Sequence, residues 1–190
     1  EPFWFRDEFG ENSIGRYLSQ GFSISDGKNT SSTGNAYCIN RNILKNTVVS
    51  VDWTPDTVGA RGFVILLSNE FSTSTGSGSK YLVYMREDST LQLGKVNSGA
   101  WSVLVTSEDL FSQSTEYNIQ TVITSGESST NIKVYIDSVL KIDHTDSTNP
   151  LVSGYCGIGV NTGTNIFDNL QISGTRVYQK PIHRGAMLET

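Results

Sequence analysis

The sequence predicts an all-β fold, a two-sheet antiparallel sandwich closed by pairing of its two ends. Three observations carry that expectation. Runs of alternating or continuous apolar residues recur every ~8–12 positions between clusters of Gly, Ser, Thr, Asn and Asp, the spacing of sandwiches and barrels. No segment repeats at a fixed period, which sets aside propellers and solenoids. The late run 165–173 places Ile166, Asp168, Leu170 and Ile172 on one face against Phe167, Asn169, Gln171 and Ser173, the period of a half-buried strand. A strand so near the end of the chain closes a sheet by pairing with an early one, and residues 3–9 are the early candidate. The run 154–160, with glycines at 154, 157 and 159, is expected to be its hairpin partner, the glycines permitting close packing or a tight bend.

With 190 residues the chain can bury one sizeable core without a second domain. Residues 1–175 read as a single sandwich and 176–190 as a tail or linker. Eighteen glycines against four prolines suit many turns between short strands. Charged residues make up 17%, below the ~25% of an average soluble protein, so the surface is largely neutral and polar. A net charge of −5, with no Lys/Arg cluster, argues against nucleic acid as a partner. No apolar run approaches the ~18 residues of a membrane helix, so no membrane insertion is expected. The chain starts at Glu1 without a secretory leader, as expected of a mature or excised fragment or of a protein not exported by that route. Cys38 and Cys156 are too few for a disulfide scaffold and lack metal-ligand spacing. One long-range disulfide and two buried thiols both stay open.

The elements follow in order. After the first strand at 3–9, residues 21–27 form a short strand running into an Asp-Gly turn. Residues 36–40 and 47–53 are strands, the second presenting Val49, Val51 and Trp53 on one face. Residues 62–67 are almost entirely apolar, as in a central strand covered on both sides. The Ser/Thr/Gly-rich stretch 68–79 is a loop whose one bulky residue is Phe71, placed either at a rim or in a linker. Residues 80–86 and 90–96 flank a turn, and 101–106 put Trp101, Val103 and Val105 together. Residues 107–111 suit one helical turn capped by Ser107. Strands at 116–124, 131–137 and 139–143 follow, the last two joined by an Asp137-Ser138 turn. After residue 173 periodicity fades.

The order of several of these pieces resembles a known family. They are Arg6-Asp7-Glu8-Phe9, residues 22–27, Tyr81-Leu82-Val83-Tyr84, Leu91-Gln92-Leu93-Gly94-Lys95, residues 132–137 with Ser138 where the family carries glycine, residues 154–159, and Phe167-Asp168-Asn169-Leu170. Together they are similar to the laminin-G-like domains of the concanavalin A-like lectin/glucanase superfamily, over about residues 3–173. The resemblance implies two antiparallel sheets in a jelly roll, one of them concave. It also implies a secreted or surface protein, with sugar binding in many members, calcium in some and catalysis in others.

Glycosidases of that fold carry two carboxylates on one strand face, and retaining hydrolysis needs them ~5 Å apart. No Glu-x-Asp-x-Glu run is present. Glu87-Asp88 and Glu108-Asp109 fall in apparent turns and read as solvated turn charge, because adjacent strand residues point to opposite faces. His144 reads as a loop histidine beside a carboxylate, and His183 lies in the tail. No Gly-x-Ser-x-Gly elbow exists.

Sugar binding needs aromatic faces beside hydrogen-bonding side chains. On the strand 80–86, Tyr81, Val83 and Met85 read as core, which turns Tyr84 and Arg86 outward beside Gln92 of the next strand. Trp101 is a candidate platform, although its face is shared with Val103 and Val105 and so suits core as well. Tyr84, Arg86, Gln92 and Trp101 are therefore the candidate ligand-binding residues. For calcium, the resemblance implies a structural ion at Asp7, Asp26 and Asp168, three isolated acids that the pairing of first and last strands would draw together; Asp168 and Asn169 holding backbone at a turn is the other reading. The expected function is a non-catalytic module binding a glycan or polysaccharide. One alternative is a structural or adhesive surface domain, such as a virion decoration or fibre component, contacting other subunits through its C-terminal tail. Another is a polysaccharide-degrading hydrolase or lyase.

Overall fold

The computed structural model describes residues 1–7, 17–20, 23–25, 28–31, 36–71, 78–87, 90–108 and 111–177. Among them the strands run β1 (Pro2–Asp7), β2 (Tyr17–Gln20), β3 (Ser23–Ser25), β4 (Lys28–Ser31), β5 (Ala36–Asn40), β6 (Leu44–Pro55), β7 (Arg61–Ser68) and β8 (Lys80–Arg86). They continue as β9 (Leu91–Asn97), β10 (Ala100–Ser107), β11 (Tyr117–Ser125), β12 (Thr130–Ile136), β13 (Val139–Asp146), β14 (Tyr155–Thr162) and β15 (Asn165–Arg176). The first sheet has the order β13-β12-β11-β6-β15-β4-β3, with β1 also on β15. The second has the order β10-β9-β8-β7-β14-β5-β2. The strands pair antiparallel throughout, so the fold is the predicted all-β antiparallel sandwich.

The ends meet as expected. Phe3 lies opposite Gly174 and Asp7 opposite Leu170 in a β1–β15 ladder, and the Arg176 amide donates to the Glu1 carbonyl at 3.0 Å. The expected β14–β15 hairpin does not form. The two strands belong to different sheets, and the chain crosses between them over Gly163, whose φ of +70° favours glycine. β14 instead lies between β7 and β5.

The core follows from alternation. Val49, Val51 and Trp53 of β6, Ile119 and Ile123 of β11, and Ile132 and Val134 of β12 face Val64 and Leu66 of β7, Tyr81, Val83 and Met85 of β8, and Ile158 and Val160 of β14. Each such side chain contributes ~1.5–3 kcal/mol by leaving water. The buried Trp53 Nε1 donates to Asn165 Oδ1 at 2.8 Å, so its polar edge is satisfied. Strict alternation fails on β15. A bulge between Asp168 and Gln171, with Asn169 at a φ of +50°, turns Phe167, Leu170 and Ile172 inward and leaves Ile166 half-buried. An inserted residue shifts the period by one.

One further expectation is corrected, and the open cysteine reading is answered for Cys156. Ser107 ends β10, and Phe111 makes a bridge to Glu87 while its ring packs edge-on to Trp53 at 5.2 Å; the described residues of 107–111 hold no helical turn. Cys156 is a free thiol in the core, and burial pushes its pKa up to about 12; the Cys38 side chain lies outside what is described.

A buried polar network joins the sheets. Lys95 Nζ of β9 donates to Asp146 Oδ2 of β13 at 2.7 Å, to the Thr148 carbonyl at 2.9 Å and to the Asn149 carbonyl at 2.7 Å. The Tyr81 hydroxyl donates to the same carboxylate at 2.7 Å and accepts the Leu151 amide. Burial works against the charge on Asp146, but the hydrogen bonds from Lys95, Tyr81 and Thr148 outweigh it and hold the carboxyl below its usual range. Burial raises the Tyr81 hydroxyl, reinforced by its bond to Asp146.

Candidate functional site

The face of the second sheet turned away from the core carries its own apolar cluster of Ile39, Phe63, Ile65, Leu82 and Val96. Residues alternating with the core set supply it: Phe63 and Ile65 between Val64 and Leu66 on β7, and Leu82 and Tyr84 between Tyr81, Val83 and Met85 on β8. Towards β10 this face sinks into a depression of about 370 Å³, within the few-hundred-Å³ range of small-ligand sites. It is lined by the buried Phe63, Leu82 and Val96 and, around them, by Arg61, Tyr84, Arg86, Gln92, Gly99, Trp101 and Asn161.

All four residues singled out for ligand binding, Tyr84, Arg86, Gln92 and Trp101, border this one depression. Sequence reasoning missed Arg61, Phe63 and Asn161. Phe63 stands opposite Tyr84 across β7 and β8, and the two rings stack with centroids 6.2 Å apart at 15°. Trp101 continues the row, 6.2 Å from Tyr84 at 50°. The Tyr84 hydroxyl donates to Asn161 Oδ1 at 2.9 Å, which fixes its ring and leaves the Asn161 amide group as a donor.

Trp101 is not core. It is 42% exposed, and Val103 is 46% exposed. The register shift between Val103 and Val105 separates the face the sequence had joined: Val105 turns to the main core while Trp101 stays outside. Its six-membered ring covers Gly94, so the missing side chain there makes the seat for the indole.

The charges around the depression are of one sign. Arg61 and Arg86 are cross-strand partners, and the lining holds no carboxylate. Glu87 is not solvated turn charge: it is buried, and Oε2 accepts the Gly59 amide at 2.8 Å. His144 lies on β13, not in a loop. Phe71 packs against Tyr155 at 5.2 Å and against the apolar cluster of this same face, without lining the depression itself.

Of the three residues expected to hold calcium, only the Asp168 side chain is among those described. Asp26 lies outside them, as does the Asp7 side chain. Asp168 Oδ1 accepts the Asn169 amide at 2.7 Å, inside the bulge. Asp52, its cross-strand neighbour, accepts the side-chain amides of Asn118 and Asn169. No three His, Cys, Asp or Glu among the described residues are placed to hold a metal ion.

Two antiparallel sheets in this order form a jelly-roll sandwich, here with a depression on the outer face of one sheet. Solved structures agree. The chain is similar to the carbohydrate-binding module CBM66 from Bacillus subtilis (TM-score 0.70, 17% identity, covering 82% of this chain and 94% of that one). It is also similar to the Bacillus licheniformis β-glucanase (TM-score 0.64, 13% identity, 91% and 98% covered) and to basic winged bean lectin with Tn-antigen (TM-score 0.60, 9% identity, 94% and 100% covered). No family model matches the chain, and no curated protein matches its sequence.

Proposed function

We propose that this chain is a non-catalytic carbohydrate-binding module, laminin-G-like in the arrangement of its motifs, of a secreted or surface protein. One observation carries the reading: an exposed indole seated on Gly94, beside a fixed tyrosine and a ring of hydrogen-bonding side chains, in a depression large enough for a sugar ring. Pyranose rings present apolar C–H faces that stack on aromatic rings, while Gln92, Asn161 and the arginines suit the hydroxyls at the edge. The likeness to a carbohydrate-binding module and a lectin supports the reading. The likeness to a glucanase is weighed against the lining, which lacks the two carboxylates that retaining hydrolysis needs ~5 Å apart. A structural calcium ion at Asp7, Asp26 and Asp168 belongs to the same proposal, and chelation with EDTA tests it by a fall in Tm.

A glycan array tests the function. Saturable binding by the wild type, lost in Trp101→Ala and Tyr84→Ala, supports it; no binding to any glycan by a folded protein ends it.

A second reading is a structural or adhesive surface domain. Val103 on β10 and Val139 and Leu140 on β13 are exposed where the outermost strands of the two sheets come together, an apolar edge suited to assembly. Mass by light scattering separates the two readings: oligomers dispersed by Val139→Lys favour the second.

A further inference from the structure

Arg61 and Arg86 face each other directly across β7 and β8 on the outer side of the second sheet, and both border the depression. Like charges in that position destabilise a sheet. Neither guanidinium makes a hydrogen bond or ion pair among the described residues, and Arg86 Nε is shut off from solvent with no acceptor. A donor enclosed in this way loses water and gains nothing in return. The whole chain carries 19 acidic against 14 basic side chains, yet this depression is lined by two cations and no acid. Glu87, the nearest acid in sequence, is bound to the Gly59 amide.

We infer that the depression takes an anionic saccharide, its carboxylate or sulfate received by Arg61 and Arg86 while the ring face rests on Trp101. The inference rests on the carbohydrate-binding reading above and adds the charge of the ligand. The guanidinium fork matches the paired oxygens of carboxylate and sulfate. One anion between two opposed cations relieves their repulsion, and the buried, apolar Phe63 and Leu82 keep competing water low, which strengthens the attraction. Gln92 and the Asn161 amide are left for hydroxyls, so the arrangement sorts the acidic edge of a sugar from its neutral edge.

Calorimetric titration with matched polymers tests this: polygalacturonate against its carboxyl-reduced form, and dextran sulfate against dextran, each at low and high salt. Binding to an acidic polymer is expected to exceed binding to its neutral counterpart by about tenfold or more and to weaken as salt screens the charges. Arg61→Gln and Arg86→Gln should each remove most of the preference, Arg86→Lys should restore part of it, and Lys133→Gln on the opposite sheet should leave it intact. Preference for polygalacturonate assigns a carboxylate, and preference for dextran sulfate assigns a sulfate. Equal binding of acidic and neutral polymers, or a preference that survives both glutamine variants, overturns the inference and leaves the carbohydrate reading standing. Absence of binding to every saccharide, with wild-type circular dichroism and melting, overturns both.

Discussion

The indole of Trp101 occupies the space above Gly94, and a methyl group on Gly94 would overlap its ring atoms Cη2, Cζ2 and Cζ3. The pair crosses β9 and β10, so a substitution on one strand resets an exposed ring on the other. Gly94→Ala is therefore expected to lift Trp101 from its seat and weaken saccharide binding by roughly five- to tenfold, the scale of an aromatic contact of ~1–1.5 kcal/mol. Stability should change little, because the ring is outside the main core. Titration with the best ligand from the array checks this, and unaltered affinity would mean that the ring is not the platform.

The pairing of Lys95 with Asp146 makes the second prediction. Both groups are buried, and removing one leaves the other without its partner. Asp146→Ala should destabilise the fold by ~3–5 kcal/mol in chemical denaturation, the range for breaking a buried pair. Replacing both with apolar residues, as in Lys95→Met with Asp146→Leu, should recover a good part of that loss. A single variant as stable as the wild type would show that the network does not tie the sheets.

Stability against pH should fall at both ends. The folded carboxyl of Asp146 lies below its unfolded value of ~3.9, so its contribution is present above that value and is lost as pH falls through the lower, folded one. Cys156 and Tyr81 shift the other way. Their contributions are complete below the unfolded values of ~8.5 and ~10 and are lost as pH rises, for Cys156 by about 12. Melting curves should show both limbs, and Cys156→Ala should flatten the start of the alkaline one; an unchanged alkaline limb would remove the thiol from the account.

Deleting residues 1–7 removes β1 and bares one edge of β15. A loss of ~2 kcal/mol or more, a fall in Tm of roughly 4–8 °C at this size, is expected by scanning calorimetry. A truncated protein that melts with the full chain would mean that β1 adds nothing to closure.

What the sequence discloses depends on whether a strand's own side chains decide its placement. Val49, Val51 and Trp53 alternate and are all buried, and the same alternation on β8 sends Tyr84 and Arg86 outward as expected. β4, Lys-Asn-Thr-Ser, has no apolar residue and is held only by its neighbours. Arg61 and Phe63 were missed because 62–67 is apolar on both faces, one buried in the main core and the other in the small cluster above the depression. Asn161 reaches Tyr84 from a strand far along the chain. The bulges at Val103/Val105 and Asp168/Gln171 are set by cross-strand register, which no local pattern records. Glu87 looked like a turn acid because the amide it holds, at Gly59, is far away in sequence.

The two strands that gather the early segments into the sheets are the last two of the described strands, β14 and β15. β1 and β4 hydrogen-bond to β15, and β5 to β14, which also carries β2 through β5. During synthesis the early segments can pair only with one another, β2 with β5 and β3 with β4, and cannot join the sheets until β14 and β15 have emerged from the ribosome. Folding of this sandwich must then wait on non-local pairing, which is slow to find. Production yield should depend more on chaperones and growth temperature than on the final stability of the sandwich.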